Sequence, residues 1–111
     1  KVSPETKIKD ALLVMTSTKL GATTVVDKKG KLVGYFTDGD FRRWSQKIPD
    51  LLNHQIKNYM TKNPKVVSPN ELVVNAKEIM KKYNCDNLPV VDKNYKVVGI
   101  IDERDILKEG I

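Results

Sequence analysis

Apolar residues recur along this chain at two periods, and the same succession of periods is met twice. Val73, Ala76, Met80 and Tyr83, with Leu72 and Ile79, fall three and four residues apart, while Lys77, Glu78, Lys81 and Lys82 fill the intervening positions. That is one buried stripe of an amphipathic helix. Ile8, Ala11, Leu12 and Met15 repeat it. Ahead of the second stripe, Ser68-Pro69-Asn70-Glu71 reads as the helix start: Ser68 caps, Pro69 takes the first helical position and Glu71 completes a capping box. Ser3-Pro4 occupies the same place in the first half.

The spacing then changes. Leu88 to Val91 and Val97 to Ile101 are short β-branched runs joined by Asp92-Lys93-Asn94-Tyr95, which predicts a hairpin. Thr23 to Val26 and Leu32 to Phe36 do the same around Asp27-Lys28-Lys29-Gly30. Runs so nearly continuous predict sheets buried largely on both faces. A second helix is expected to begin near Asp38 and near Glu103. Short strands at Lys1 to Ser3 and Lys65 to Val67 precede the first helices. The predicted order is β-α-β-β-α, twice, an α+β class.

A shift of 65 residues lays Lys1 to Gln46 over Val66 to Ile111 without a gap, with 13 identities in 46 positions. Two copies of one supersecondary unit are expected, packed as one pseudo-twofold unit because each alone is small for a self-sufficient core. Function is expected at their seam. The division is residues 1–46 for the first repeat, 47–64 for a connector and 65–111 for the second repeat. Ile48, Leu51, Leu52, Ile56, Tyr59 and Met60 give the connector enough apolar content to pack as ordered helical turns.

Composition narrows the chemistry. The 111 residues hold one modest core, and no apolar stretch approaches the roughly 20 residues of a membrane span. The start, Lys-Val-Ser-Pro, has neither an initiator Met nor a signal-peptide core, which reads as an excised piece of a larger soluble, cytoplasmic protein. The single Cys85 excludes an internal disulfide and, with His54, leaves too few soft ligands for zinc. Cys85 reads as a structural thiol and His54 as a solvated or hydrogen-bonded imidazole. The net charge of +6 is spread over turns and helix faces, so neither nucleic acid nor membrane is an expected partner. No nucleophile-base pair, metal cluster or phosphate-binding loop is present, and no enzyme activity or required cofactor is expected.

The motif that stands out closes each hairpin: Gly34-Tyr35-Phe36-Thr37-Asp38-Gly39-Asp40, and Gly99-Ile100-Ile101-Asp102-Glu103-Arg104-Asp105. Thr37, with the amides of a helix N-terminus, suits a phosphate. Asp40 suits the two vicinal hydroxyls of a ribose, and Gly39 permits close approach. The same Thr-x-x-Asp spacing equally suits a plain helix cap with an acidic residue in the first turn.

These features, with Leu88-Pro89-Val90-Val91-Asp92, resemble a tandem pair of cystathionine-β-synthase (CBS) domains, over the whole chain. More narrowly, Leu20 to Val26 and Gly34 to Arg43 are similar to the segment that follows the sugar-isomerase (SIS) domain of arabinose 5-phosphate isomerases, enzymes of Kdo and lipopolysaccharide synthesis. The resemblance implies a regulatory module in which a nucleotide or nucleotide-sugar, AMP, ATP or CMP-Kdo, acts as effector in the inter-repeat cleft. It implies one site from Thr37, Asp38, Gly39, Asp40 and Arg43 together with Thr61, Lys62, Pro64, Cys85, Asp86 and Asn87. A weaker site would use Leu20, Gly21 and Ala22 with Asp102, Arg104 and Asp105, since Asp102 replaces the Thr. It also implies an attached SIS isomerase domain and homo-oligomers, dimers among them, formed through the helices. The alternative is a ligand-free oligomerisation module of the same enzyme, with Trp44 as either an interface anchor or ordinary core.

Overall fold

In each repeat one aspartate bends the chain so that its two apolar runs pair. Asp27 Oδ1 accepts the backbone N–H groups of Lys29 and Lys31 at 2.8 and 3.0 Å. Asp92 Oδ1 accepts those of Asn94 and Lys96 at 2.9 and 3.0 Å. Strands β1 (Ala22–Val26) and β2 (Leu32–Thr37) thereby run antiparallel, Ala22 opposite Thr37 and Val26 opposite Leu32. Strands β3 (Asn87–Val91) and β4 (Val97–Asp102) do likewise, Asn87 opposite Asp102. Even the irregularity is repeated, because the register slips between Val25 and Val26 and again between Val90 and Val91.

This computed structural model describes residues 1–71 and 73–104 and divides into two units, Lys1–Pro64 and Lys65–Ile111. In the first, helix α1 (Ile8–Thr18) buries Ile8, Ala11 and Met15 in a core with Val25, Phe36, Leu51 and Ile56. Helix α2 (Asp38–Ser45) follows β2 directly. Val2 extends the sheet as a single parallel bridge to Val25.

Residues beyond α2 belong to this unit. Short 3₁₀ turns at Leu51–Asn53 and Ile56–Asn58 place Leu51 and Ile56 in the core, Ile56 fully buried. The backbone is stitched down on both sides. Ile8 donates its N–H to the His54 carbonyl at 2.9 Å, and Ile56 donates to Thr6 at 2.8 Å. Tyr35 and Thr61 exchange two bonds of 3.0 and 2.8 Å along the outer edge of β2. Met60 fills the space over Gly34 so closely that a Cβ there would overlap its thioether. Trp44 packs edge-on to Tyr59 with ring centres 5.1 Å apart, and the Tyr59 hydroxyl lies 2.6 Å from His54 Nδ1. Trp44 is thus partly buried within its own unit.

In the second unit helix α3 (Val73–Lys82) lays Ala76 and Met80 on Val67 and Leu88, with Cys85 at the margin. Val67 bridges Val90 in parallel, as Val2 does Val25. Strand β4 is more open than β2: Val98 is 55% exposed, and a Cβ on Gly99 would meet nothing within 4 Å.

The helix start predicted at Ser3-Pro4 is corrected: Ser3 donates its N–H to the Thr6 hydroxyl at 3.1 Å, closing a turn ahead of α1. At Ser68 the foreseen Glu71 contact is present, Oε1 accepting the Ser68 N–H at 2.8 Å, while α3 as described begins at Val73. Lys7, extended, is the cap residue of α1 and contributes no side-chain bond. The carbonyl of His54 takes over the capping role at Ile8, which is why the local signal misplaces the boundary. The predicted strands at residues 1–3 and 65–67 shrink to the single bridges of Val2 and Val67.

Candidate functional site

Thr37 ends β2 and begins α2, and its extended backbone (φ −122°, ψ 167°) makes it the cap. Its hydroxyl accepts the Asp40 N–H at 3.2 Å, and Asp40 Oδ2 accepts the Thr37 N–H at 3.0 Å. This reciprocal pair satisfies two donors that a helix start otherwise leaves open. The remaining oxygen, Oδ1, pairs with Arg43 one turn along. The capping role foreseen for Thr37-x-x-Asp40 is therefore present. Thr37 keeps its own hydroxyl proton as a donor, since the cap uses the oxygen only as an acceptor.

A second strand end holds this turn in place. Asp38 donates its N–H to the Gly21 carbonyl at 2.9 Å, and Ala22 stands opposite Thr37. Gly21 has φ +67°, which favours glycine, and a Cβ on it would come 2.7 Å from the tip of the exposed Asp38 side chain, which would have to swing aside. The second repeat builds the same joint. Glu103 donates to the Asp86 carbonyl at 2.8 Å, and Asn87 stands opposite Asp102.

The site residues foreseen from sequence are thus grouped within each repeat. Gly21 and Ala22, assigned to the weaker site, lie beside Thr37 and Asp38, with half-buried Leu20 just before them. Asp86 and Asn87, assigned with Thr37 and Asp40, lie beside Asp102 and Glu103. Thr61 pairs with Tyr35 two residues before Thr37, and exposed Lys62 and half-buried Pro64 follow it. Asp105 lies outside the described residues. Arg42, three residues along the helix from Gly39, also borders the turn: its Nη2 lies 3.9 Å from where a Cβ on Gly39 would stand.

Asp102 stands where the first repeat has Thr37. It accepts both the backbone N–H and the Nε of Arg104 at 2.9 Å. Burial pushes its carboxyl up, but the Arg104 side chain and backbone N–H more than offset this, holding it below the usual carboxylate range. With the folded pKa depressed, the stability it contributes is complete above its unfolded pKa of about 3.9 and is lost as pH falls through the folded value. Asp102→Asn is expected to give a shallower loss of stability below about pH 4 than the wild type in urea melts. Asp27, also held low by the Lys31 and Lys29 N–H groups, keeps part of the acid limb in the variant. An unchanged limb would assign the acid loss elsewhere.

Cys85 is a half-buried free thiol. Partial burial, and then neighbouring Asp86, push its thiol up, so it stays protonated near neutrality. Among the described residues no three His, Cys, Asp or Glu side chains gather as a metal site, and no helix is long and apolar enough to cross a membrane.

Comparison with known proteins agrees with this geometry. Residues 1–47 and 56–111 match the CBS domain. The arabinose 5-phosphate isomerase KdsD of Pseudomonas aeruginosa is 38% identical over 106 residues, covering 96% of this chain and 32% of that enzyme. The inosine-5'-monophosphate dehydrogenase of Aquifex aeolicus is 35% identical over 108 residues, 96% of this chain and 21% of its own length. The chain spans about a third or less of these curated relatives. Among solved structures, the CBS-domain protein ATU1752 from Agrobacterium tumefaciens superposes with a TM-score of 0.88 at 28% identity, over all of this chain and 88% of that one. CBSX2, solved in complex with AMP, gives 0.82 at 26%, over 98% and 84%. The capped turn Thr37 to Asp40 opens α2, the helix expected near Glu103 runs beyond the described residues, and the chain belongs to the CBS domain family.

Proposed function

We propose that this chain is a regulatory module that senses a nucleotide or nucleotide-sugar, with the Thr37 to Asp40 turn as its principal site. The observation that carries the reading is that one short turn holds a hydroxyl donor and a carboxylate, with no side chain at Gly39 and two arginine tips bordering it. Phosphate to Thr37 and ribose hydroxyls to Asp40 suit these groups. Solved relatives support the ligand class: CBSX2 is in complex with AMP, and the CBS domain pair of protein MJ0100 with 5-methylthioadenosine and S-adenosyl-L-methionine.

In this reading the turn at Asp102 is the weaker site. The parent protein in this reading is a cytoplasmic arabinose 5-phosphate isomerase with AMP, ATP or CMP-Kdo as effector; the KdsD relatives support the isomerase part of it. Occupancy is transmitted to the catalytic domain because the ligand prefers one of its two states. The chain itself performs no chemistry.

A thermal-shift screen of AMP, ATP and CMP-Kdo tests this, followed by calorimetry of any hit. A nucleotide at a hundredfold its dissociation constant is expected to stabilise the chain by about 2.7 kcal/mol. If none shifts the melt while light scattering shows dimers or larger species, the ligand-free oligomerisation reading replaces this one.

A further inference from the structure

Asp40 is closed off by a neighbour that can leave. Its side chain is 13% exposed, with Oδ2 held by the Thr37 backbone and Oδ1 by Arg43. The first bond is part of the helix cap and is fixed by the backbone. The second is different in kind, because the Arg43 side chain is 69% exposed and reaches back from three residues along the helix. An ion pair with one member so open to solvent adds little and is readily exchanged. The Arg43 tip is also well placed for other work. Its Nη1 lies 3.3 Å, Arg42 Nη2 3.9 Å and the Thr37 hydroxyl 3.7 Å from the position of a Cβ on Gly39. Two guanidinium groups and a hydroxyl donor therefore converge beside this glycine.

We propose that Arg43 is a displaceable latch on Asp40 and sets the ligand class of the site. A ligand whose vicinal hydroxyls take Asp40 Oδ1 expels Arg43, and the freed guanidinium, beside Arg42, takes an anionic group of the same ligand. The site thus favours molecules that join a diol to more than one negative charge, such as a nucleoside diphosphate, over a neutral nucleoside. The neutral ligand must break the latch and gives the guanidinium nothing in return. Planar guanidinium matches phosphate or carboxylate bidentately, which lysine does not. This inference rests on the nucleotide reading above.

Calorimetry with two probes, adenosine and ADP, separates the two ideas. Wild type is expected to bind ADP at least tenfold more tightly than adenosine. In Arg43→Gln, ADP affinity is expected to fall about tenfold while adenosine affinity holds or rises up to about threefold, and the preference collapses. Arg43→Lys, which keeps the charge and the paired Asp40, is expected to recover part of the ADP affinity and none of the adenosine gain. Loss of both ligands to the same degree in a variant that melts like wild type would overturn the latch and leave the site. Failure of wild type to bind either probe would overturn the nucleotide reading and the latch with it.

Discussion

Replacing Asp40 with asparagine is expected to weaken nucleotide binding by roughly 30- to 100-fold, as read by calorimetry. A carboxylate that accepts two ribose hydroxyls makes charge-assisted bonds, and an amide in its place offers one neutral acceptor and a donor facing a hydroxyl. The difference is about 2 to 3 kcal/mol. Stability is expected to suffer less, by about 1 kcal/mol, because the Asn oxygen can still accept the Thr37 N–H while the exposed ion pair to Arg43 is lost. Asp105→Asn, at the equivalent place in the second repeat, is expected to leave the affinity nearly unchanged. The reason lies with Asp102: a phosphate oxygen about 4 Å from its carboxylate would meet a repulsion of roughly 4 kcal/mol at an effective dielectric near 20. Arg104, already bonded to Asp102, offsets only part of that. Equal losses in both variants, or a loss in Asp105→Asn alone, would place the principal site in the second repeat.

The largest effect on stability is expected from Ile56→Ala. Ile56 lies between the two repeats in sequence, yet it is fully buried against the core of α1, β1 and β2. Truncating a buried isoleucine removes its transfer energy and leaves a cavity, at a cost of about 2 to 5 kcal/mol. For a unit of this size each kcal/mol corresponds to roughly 4 to 8 °C, so the melting midpoint is expected to drop by at least about 8 °C. Leu52→Ala, four residues earlier and 46% exposed, serves as the control and is expected to melt close to wild type. If Ile56→Ala melted like the control, residues 47–64 would be a tether and not part of the first unit's core.

Much of this protein was legible in its sequence because its signals are local. The helical stripe placed α1 and α3, the near-continuous β-branched runs placed β1 to β4, and the segments at 27–30 and 92–95 announced their turns. Each is a short-range bond that any chain with those residues can make. The 65-residue repeat added that the two halves share one fold, down to the slipped register after Val25 and Val90. The resemblance at Thr37 to Arg43 pointed to the family.

Tertiary structure decided what lies far apart in the chain. That His54 caps α1, that Thr61 extends the sheet at Tyr35, and that Met60 makes Gly34 obligatory are pairings over 25 to 50 residues, for which no periodicity exists. They also moved the first helix away from its Ser-Pro start, because the connector supplied a carbonyl where a side-chain cap was expected. At the site, spacing alone left Thr37 and Asp40 divided between cap and ligand. The fold showed them capping, showed Gly21 beneath Asp38, and turned two arginines toward Gly39. Sequence names the groups a turn can present; only the packed backbone fixes which neighbours already hold them.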